Sequence, residues 1–290
     1  MREKRRTAMP NLTDLATVRE LCRRHGFALS KGFGQNFIIN PTVCPRMVEA
    51  AGIDRGFGVL EIGPGIGVLT KEAALRAAKV VAVEVDQRLP ALLAETLAEF
   101  DNVKIVLADV LKTDLAALIQ QEFAGLRVAV IANLPYYITS PILMKLLEER
   151  LPVESITVMV QREAAQRICA APGSRQVGAI SLAVQYYAEA RTLFTVSPGS
   201  FTPPPKVTSA VIQLRPRTDP PVRPASEQRM FAVIRAAFSQ RRKTAVNAIS
   251  SGLSLPKPQV AAAVAALGRG ELVRPEQLTL ADFAALADQL

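Results

Sequence analysis

The chain has no tryptophan, one histidine and three cysteines among 290 residues. Cys22, Cys44 and Cys169 are far apart and odd in number, which fits neither a disulfide framework nor a zinc site. The single histidine, His25, lies between Arg24 and Gly26 with no second His or Cys nearby. It reads as a surface residue rather than a catalyst. No apolar run approaches the roughly 18 residues that a membrane helix needs. The basic start, MREKRRTAMP, is not followed by an apolar stretch of signal-peptide type. There is no internal repeat and no long apolar heptad pattern of the kind that builds coiled-coil dimers. A cytoplasmic monomer with no metal and no membrane partner is therefore expected.

What is present in excess is positive charge. The formal net charge is +9 and the pI about 9.8, which suggests a polyanionic partner, either nucleic acid or an anionic membrane surface. The excess is concentrated. Eight basic residues (Arg215, Arg217, Arg223, Arg229, Arg235, Arg241, Arg242, Lys243) stand against two acids (Asp219, Glu227) between 215 and 243. Taken alone, this run reads equally well as a solvated helical face.

Apolar, β-branched runs alternate with Ala- and Leu-rich stretches from 55 to 165. GVLEI (58–62), KVVAVEV (79–85), NVKIVLA (102–108), LRVAVIA (126–132) and SITVMV (155–160) read as buried parallel strands. LTKEAALRAA and RLPALLAETLAEF between them read as helices. Such alternation predicts an α/β sheet, Rossmann-like, with helices on both faces. Ser140 and Pro141 resemble an N-cap followed by proline at the first helical position. RTLFTV and KVTSAVIQL predict two further strands, a hairpin added to the sheet. The expected organisation is an N-terminal extension over 1–28, partly disordered, a catalytic domain over 29–214, a Pro- and Arg-rich linker over 215–226, and a small helical domain over 227–290. Thr279 with Asp282 marks the last helix by a capping box.

Ligands of open α/β sheets bind beyond the carboxyl ends of the strands. The first strand runs into EIGPGIG, where Gly63, Gly65 and Gly67 let the backbone turn tightly against a ligand. The second ends at Glu84, 21 residues after Gly63, placed to accept from both ribose hydroxyls. The third ends at Asp109, which can accept from an adenine amino group. Any one of these is also what a plain glycine turn or a solvated strand-end acid would give. Three at successive strand ends point to a nucleoside site. The spacing G-x-G-x-G differs from the dinucleotide fingerprint, and the Gly-Lys-Ser/Thr phosphate loop is missing. Glu61 before the turn suits an ammonium group better than a pyrophosphate, so S-adenosylmethionine fits better than NAD.

The fourth strand ends in NLPYYITS (133–140). The exocyclic amine of adenine is a poor nucleophile because its lone pair is delocalised into the ring. Two acceptors placed on its N–H bonds favour a pyramidal nitrogen with the lone pair aimed outward. The Asn133 side-chain oxygen and the Leu134 carbonyl can be those acceptors, with Pro135 fixing the backbone between them and Tyr136 stacking on the base. In-line transfer needs no covalent intermediate, so the scarcity of Cys and His is no obstacle. A proline turn with a core tyrosine is the plainer reading of the same four residues.

EIGPGIGVLT, VEVD, NLPYYITSP, FTPPPKVTSAV and FSQRRKT, with KGFGQNFIIN (31–40), resemble in order the motifs of the rRNA adenine N6-dimethyltransferases. The likeness runs from about Leu29 to Phe283 and is strongest to the bacterial small-subunit branch. That branch dimethylates two adjacent adenosines in a hairpin loop near the 3′ end of 16S rRNA during 30S assembly. The resemblance implies that Asn36 and Ile38 contact the cofactor, Ile38 standing where the family more often has Leu. It implies that Gly63 holds the methionine part, Glu84 the ribose and Asp109 the adenine, and that Asn133 lies between cofactor and target. It implies that Phe201 stacks on the target base opposite Tyr136, although FTPPPK also reads as a hydrophobic plug before rigid chain. Arg241, Arg242 and Lys243 would grip rRNA phosphates, which gives affinity and register more than sequence choice. Four alternatives stay open. They are an antibiotic-resistance-type enzyme acting on large-subunit rRNA, a glutamine-modifying protein methyltransferase, a DNA adenine methyltransferase, and an assembly factor in which catalysis is secondary.

Overall fold

The protein is described from a computed structural model, over residues 10–27, 36–240 and 242–290. In chain order the first part comprises α1 (Leu15–Arg24), β1 (Phe37–Ile38), α2 (Val43–Ala50), β2 (Phe57–Ile62), α3 (Val68–Ala74), β3 (Lys79–Glu84), α4 (Pro90–Thr96), β4 (Val103–Leu107), α5 (Leu115–Glu122), β5 (Arg127–Asn133), α6 (Thr139–Glu148) and β6 (Ser155–Gln161). Then follow α7 (Arg162–Ile168), α8 (Ala179–Tyr187), β7 (Ala188–Val196), β8 (Phe201–Thr202), β9 (Ser209–Pro216), α9 (Glu227–Phe238), α10 (Ala245–Leu253), α11 (Lys257–Ala266) and α12 (Leu280–Gln289).

Seven strands form one sheet in the order β4-β3-β2-β5-β6-β9-β7. The first five are parallel, as their unbroken apolar runs predict, and β9 adds antiparallel to β6 with Val158 opposite Ile212. From β2 the chain builds outward through β3 to β4, then returns to lay β5 on the other side of β2. That reversal leaves a crevice at the carboxyl ends of β2 and β5. Gly58 in β2 has a steric reason. A Cβ there would lie 2.3 Å from the Phe123 ring, which packs on the strand just beyond α5.

The structure departs from the sequence expectations in several places. The two predicted late strands do lie at the sheet edge, but β8 falls between them in the chain and pairs with β1 instead, Phe201 opposite Ile38. Residues 15–24 of the expected extension form a helix. Asp14 caps it by accepting from Thr17 N at 2.8 Å, and Val18 and Leu21 are buried. Helix α6 starts at Thr139 rather than after Ser140, because a 3-10 turn over Tyr136–Ile138 runs directly into it.

The chain divides into two compact units, 1–162 with 192–214, and 163–191 with 215–290. The segment 163–191, expected within the catalytic domain, groups with the C-terminal helices. Tyr187 stacks on Phe231 of α9 at 5.4 Å, and the hydroxyls of Tyr186 and Tyr187 both donate to Glu227. The predicted capping box starts α12, with Asp282 N donating to Thr279 Oγ1 at 3.1 Å and Thr279 N to Asp282 Oδ2 at 2.8 Å. Among the described residues, no helix is long and apolar enough to cross a membrane.

Candidate active site

The crevice between β2 and β5 opens into a cleft that is continuous with solvent. Asn36, Ile38, Gly63, Gly65, Glu84, Asp109 and Asn133 all line it, as do Leu134, Pro135 and Tyr136. These ten residues come from five separate segments, and parallel pairing brings their strand ends to one side of the sheet.

The floor is the glycine turn. Gly63 N donates to Val83 O at 2.9 Å, clamping the turn to β3. Gly65 has φ +58 and leaves space that Phe37 uses, since a Cβ there would sit 3.4 Å from the Phe37 ring. Under the turn lies Glu61, 1% exposed. Burial pushes its carboxyl up to about 8, and the nearby Glu84 charge acts in the same direction. The neighbouring Thr70 hydroxyl offsets this in part, yet neither Glu61 Oε2 nor Thr70 Oγ1 completes a hydrogen bond of good geometry among the described residues.

Glu84 is held at the end of β3. Its Oε1 accepts from Val85 N and Asp86 N, both at 2.8 Å. Burial raises its carboxyl, while the backbone N–H groups of Asp86, Val85 and Gly65 pull the other way. Asp109 accepts from Leu111 N at 3.0 Å through Oδ1, and Lys112 Nζ is 3.6 Å from Oδ2.

Asn133, the last residue of β5, pairs with Met159 of β6. Its Nδ2 donates to the Asn36 carbonyl at 3.3 Å, which fixes the amide plane and leaves Oδ1 as its available acceptor. Leu134 N donates to Met159 O at 3.1 Å, so the backbone of the turn stays anchored to the sheet while Pro135 redirects it. Tyr136 is half-buried, and its hydroxyl bonds Ser209 Oγ at 2.7 Å. That contact immobilises the ring. Burial raises the phenol, offset by the Ser209 bond.

Three other expected residues lie elsewhere. Phe201 is 2% exposed, packed in the core with Phe37 and Ile38, and does not line the cleft. Its pairing to β1 puts the ring behind the wall rather than at the mouth. Arg242 and Lys243 are exposed just before the Thr244 cap of α10, in the second unit. Arg241 lies outside the described residues. Sequence reasoning missed Phe37, Val85 and Tyr137, which also line the cleft. Val85 and Tyr137 are 51% and 60% exposed, and the available signal was an apolar or aromatic residue directly after a strand-end acid or the Asn-Leu-Pro-Tyr turn. His25 is not free on the surface, because its Nε2 lies 2.7 Å from Glu95 Oε2.

This donor and acceptor set suits a nucleoside bearing a cationic amino acid. Glu84 and Asp109 offer acceptors for ribose and base, the glycine turn admits close approach, and the unpartnered buried Oε2 of Glu61 suits an ammonium group rather than a phosphate. No cluster of basic side chains faces the turn among its lining residues.

Comparison with known proteins agrees. The family model described as "Ribosomal RNA adenine dimethylase" matches residues 26–281. The chain is 47% identical over 284 residues to ribosomal RNA small subunit methyltransferase A of Geobacillus thermodenitrificans, covering 96% of this chain and 97% of that one. It is 43% identical over 283 residues to the protein of that name from Alkaliphilus oremlandii, covering 97% and 99%. Among solved structures, the 23S rRNA methyltransferase ErmE superposes with TM-score 0.65 at 27% identity, over 88% of this chain and 99% of that one. A dimethyladenosine transferase from Plasmodium falciparum superposes with TM-score 0.68 at 24% identity, over 86% and 95%, and supports the fold. A nucleoside cleft at the switch point, an Asn-Leu-Pro-Tyr turn at its edge and a family match across nearly the whole chain lead to one assignment: this chain belongs to the ribosomal RNA adenine dimethylase family.

Proposed function

We propose that this chain methylates the N6 amines of two adjacent adenosines in the 3′-terminal hairpin loop of 16S rRNA, acting as a cytoplasmic monomer on the immature 30S subunit. Relatives at 43–47% identity are named for the small subunit, whereas the structure named for 23S rRNA is 27% identical. S-adenosylmethionine, when bound, supplies an electrophilic methyl group on a sulfonium. The residues that would hold it are Glu61 at the amino acid end, Gly63 and Gly65 at the turn, Glu84 at the ribose and Asp109 at the base, with Asn36 and Ile38 from the N-terminal side.

One observation carries the reading. The amide of Asn133 is oriented by the Asn36 carbonyl so that Oδ1 remains to accept. Asn133 Oδ1 and the Leu134 carbonyl take the two N6–H bonds, which leaves the lone pair directed into the cleft. Tyr136, pinned through Ser209, offers its ring face to the extruded base, a contact of roughly 1–3 kcal/mol. Holding the reactants in this arrangement supplies about 7–11 kcal/mol of the barrier. A loop adenosine is already partly unstacked, which lowers the cost of extrusion. Arg242 and Lys243, with Arg241, would add phosphate contacts. Phe201, buried behind β1, would support Ile38 from below rather than stack on the base.

Labelled methyl transfer to purified 30S subunits lacking the modification tests this. Label mapping by nuclease digestion to two adjacent adenosines of the 3′ hairpin is expected. Asn133→Ala should lose transfer by roughly 100- to 1,000-fold, the scale of removing one preorganised polar group, with 30S binding retained. Transfer at the wild-type rate by that variant would refute the mechanism. Label appearing on 23S rRNA instead would refute the target.

A further inference from the structure

Two walls of the cleft come from chain segments about fifty residues apart, and a short relay joins them. On one side, Phe37 lines the cleft against Gly65. Behind it stands Phe27, with ring centroids 5.9 Å apart and planes at 32°. Phe27 is placed by the end of α1. Gly26, at φ +58, turns the chain so that Phe27 N donates to Cys22 O at 2.7 Å. That helix end is fastened to α4, where Glu95 accepts from Arg24 Nη2 at 2.6 Å and meets His25 Nε2 at 2.7 Å. On the other side, Glu84 Oε1 is held by Val85 N and Asp86 N. Asp86 is 3% exposed and takes the Arg88 guanidinium in a fork, Nε to Oδ1 at 2.8 Å and Nη2 to Oδ2 at 2.6 Å. The same guanidinium lies 4.8 Å over the Phe27 ring.

We propose that Arg88 and Phe27 are positioning residues of the cofactor site, locking the aromatic wall at Phe37 to the turn that carries Glu84. Arg88 is suited to the task. Its planar fork matches the Asp86 carboxylate, and its flat face stacks on an aromatic ring, which a lysine ammonium cannot do with the same geometry. Neither residue lines the cleft, so each acts through a neighbour. Cofactor binding would depend on both walls standing in register, whereas target RNA would meet the cleft at Tyr136. The inference rests on the cofactor assignment above.

The experiment is calorimetric titration of S-adenosylhomocysteine into the full-length protein, with steady-state methylation of 30S alongside. Arg88→Ala and Phe27→Leu should each raise the cofactor Kd roughly 3- to 10-fold, the scale of one charge-assisted stacking contact. The KM for cofactor should follow, while the KM for 30S stays within about twofold. Arg88→Lys, which keeps the charge and loses the fork, should fall between wild type and Ala. The double variant should bind no worse than the weaker single, because each substitution already breaks the same relay between the two walls. Wild-type Kd in both single variants, losses that multiply in the double, or an equal rise in KM for 30S would each overturn the proposal. Wild-type protein that failed to bind the compound at all would overturn the cofactor assignment as well, which separates the two failures.

Discussion

Glu61 offers a prediction whose size is set chiefly by burial, with Glu84 adding to it and Thr70 opposing it. Its carboxyl is raised from 4.5 to about 8 in the folded protein. Below pH 4.5 it is neutral in both states, and its contribution to stability is fully present. Between 4.5 and 8 the unfolded chain has released the proton and the folded chain still holds it. Folding then takes up about one proton, so stability falls by about 1.4 kcal/mol per pH unit on account of this residue. Glu61→Gln keeps the shape and removes the titration. Groups remote from Glu61 contribute equally to both proteins, so the difference between their urea-unfolding free energies reports Glu61 together with its coupling to Glu84. Moving from about pH 5 to about pH 8, the Gln variant should gain on wild type by roughly 4 kcal/mol as an upper figure. A difference that stays constant across that range would refute the reasoning. The same group should report on the ligand. A cationic amine against Oε2 favours the ionised carboxyl, so binding S-adenosylhomocysteine near pH 7 should release close to one proton from wild type and none from the variant. Calorimetry in two buffers of different ionisation enthalpy measures that number directly.

Tyr136→Ala should raise the KM for 30S by roughly 5- to 150-fold, the equivalent of one base stack. Tyr136→Phe, which keeps the ring and loses only the Ser209 bond, should raise it much less, and equal effects in the two variants would argue against stacking. Replacing Arg242 and Lys243 with Gln should reduce the slope of log affinity against log salt by about one for each phosphate no longer neutralised, with methylation position unchanged; an unchanged slope would exclude them from the RNA interface. Gly252→Ala should destabilise the second unit by about 1–3 kcal/mol, because the added Cβ would lie 2.7 Å from Ala236 Cβ and 3.0 Å from its Cα, and differential scanning calorimetry would register the loss.

The parts of the fold legible in the sequence share a physical cause. Strands buried on both faces are mostly apolar, so β2, β3, β5 and β6 stand out as runs interrupted only by groups such as Glu61 and Thr157. The cleft was legible for a related reason. Glu84, Asp109 and Asn133 sit at or just beyond the carboxyl ends of parallel strands, and pairing carries those ends to one side without further instruction, whereas Asn36 arrives from outside that sheet. Glu84, Asp109 and Asn133 are therefore located by the backbone, and only their chemistry has to be read. What stayed hidden depends on a partner distant in the chain. The ring of Phe201 is defined by pairing with Ile38, more than 160 residues earlier, and nothing in FTPPPK names that partner. Residues 163–191 look like a continuation of the α/β pattern until Tyr186 and Tyr187 meet Glu227, some forty residues on. Helix α1 has only two buried side chains, too few for a clear apolar period. The relay through Phe27 and Arg88 combines these difficulties, since an aromatic beyond a weak helix and an arginine in a loop become a pair only after the sheet has brought Asp86 beside them. The placement of residues around the cleft was thus readable where topology alone positions them, and unreadable where side chains from separate segments must find each other.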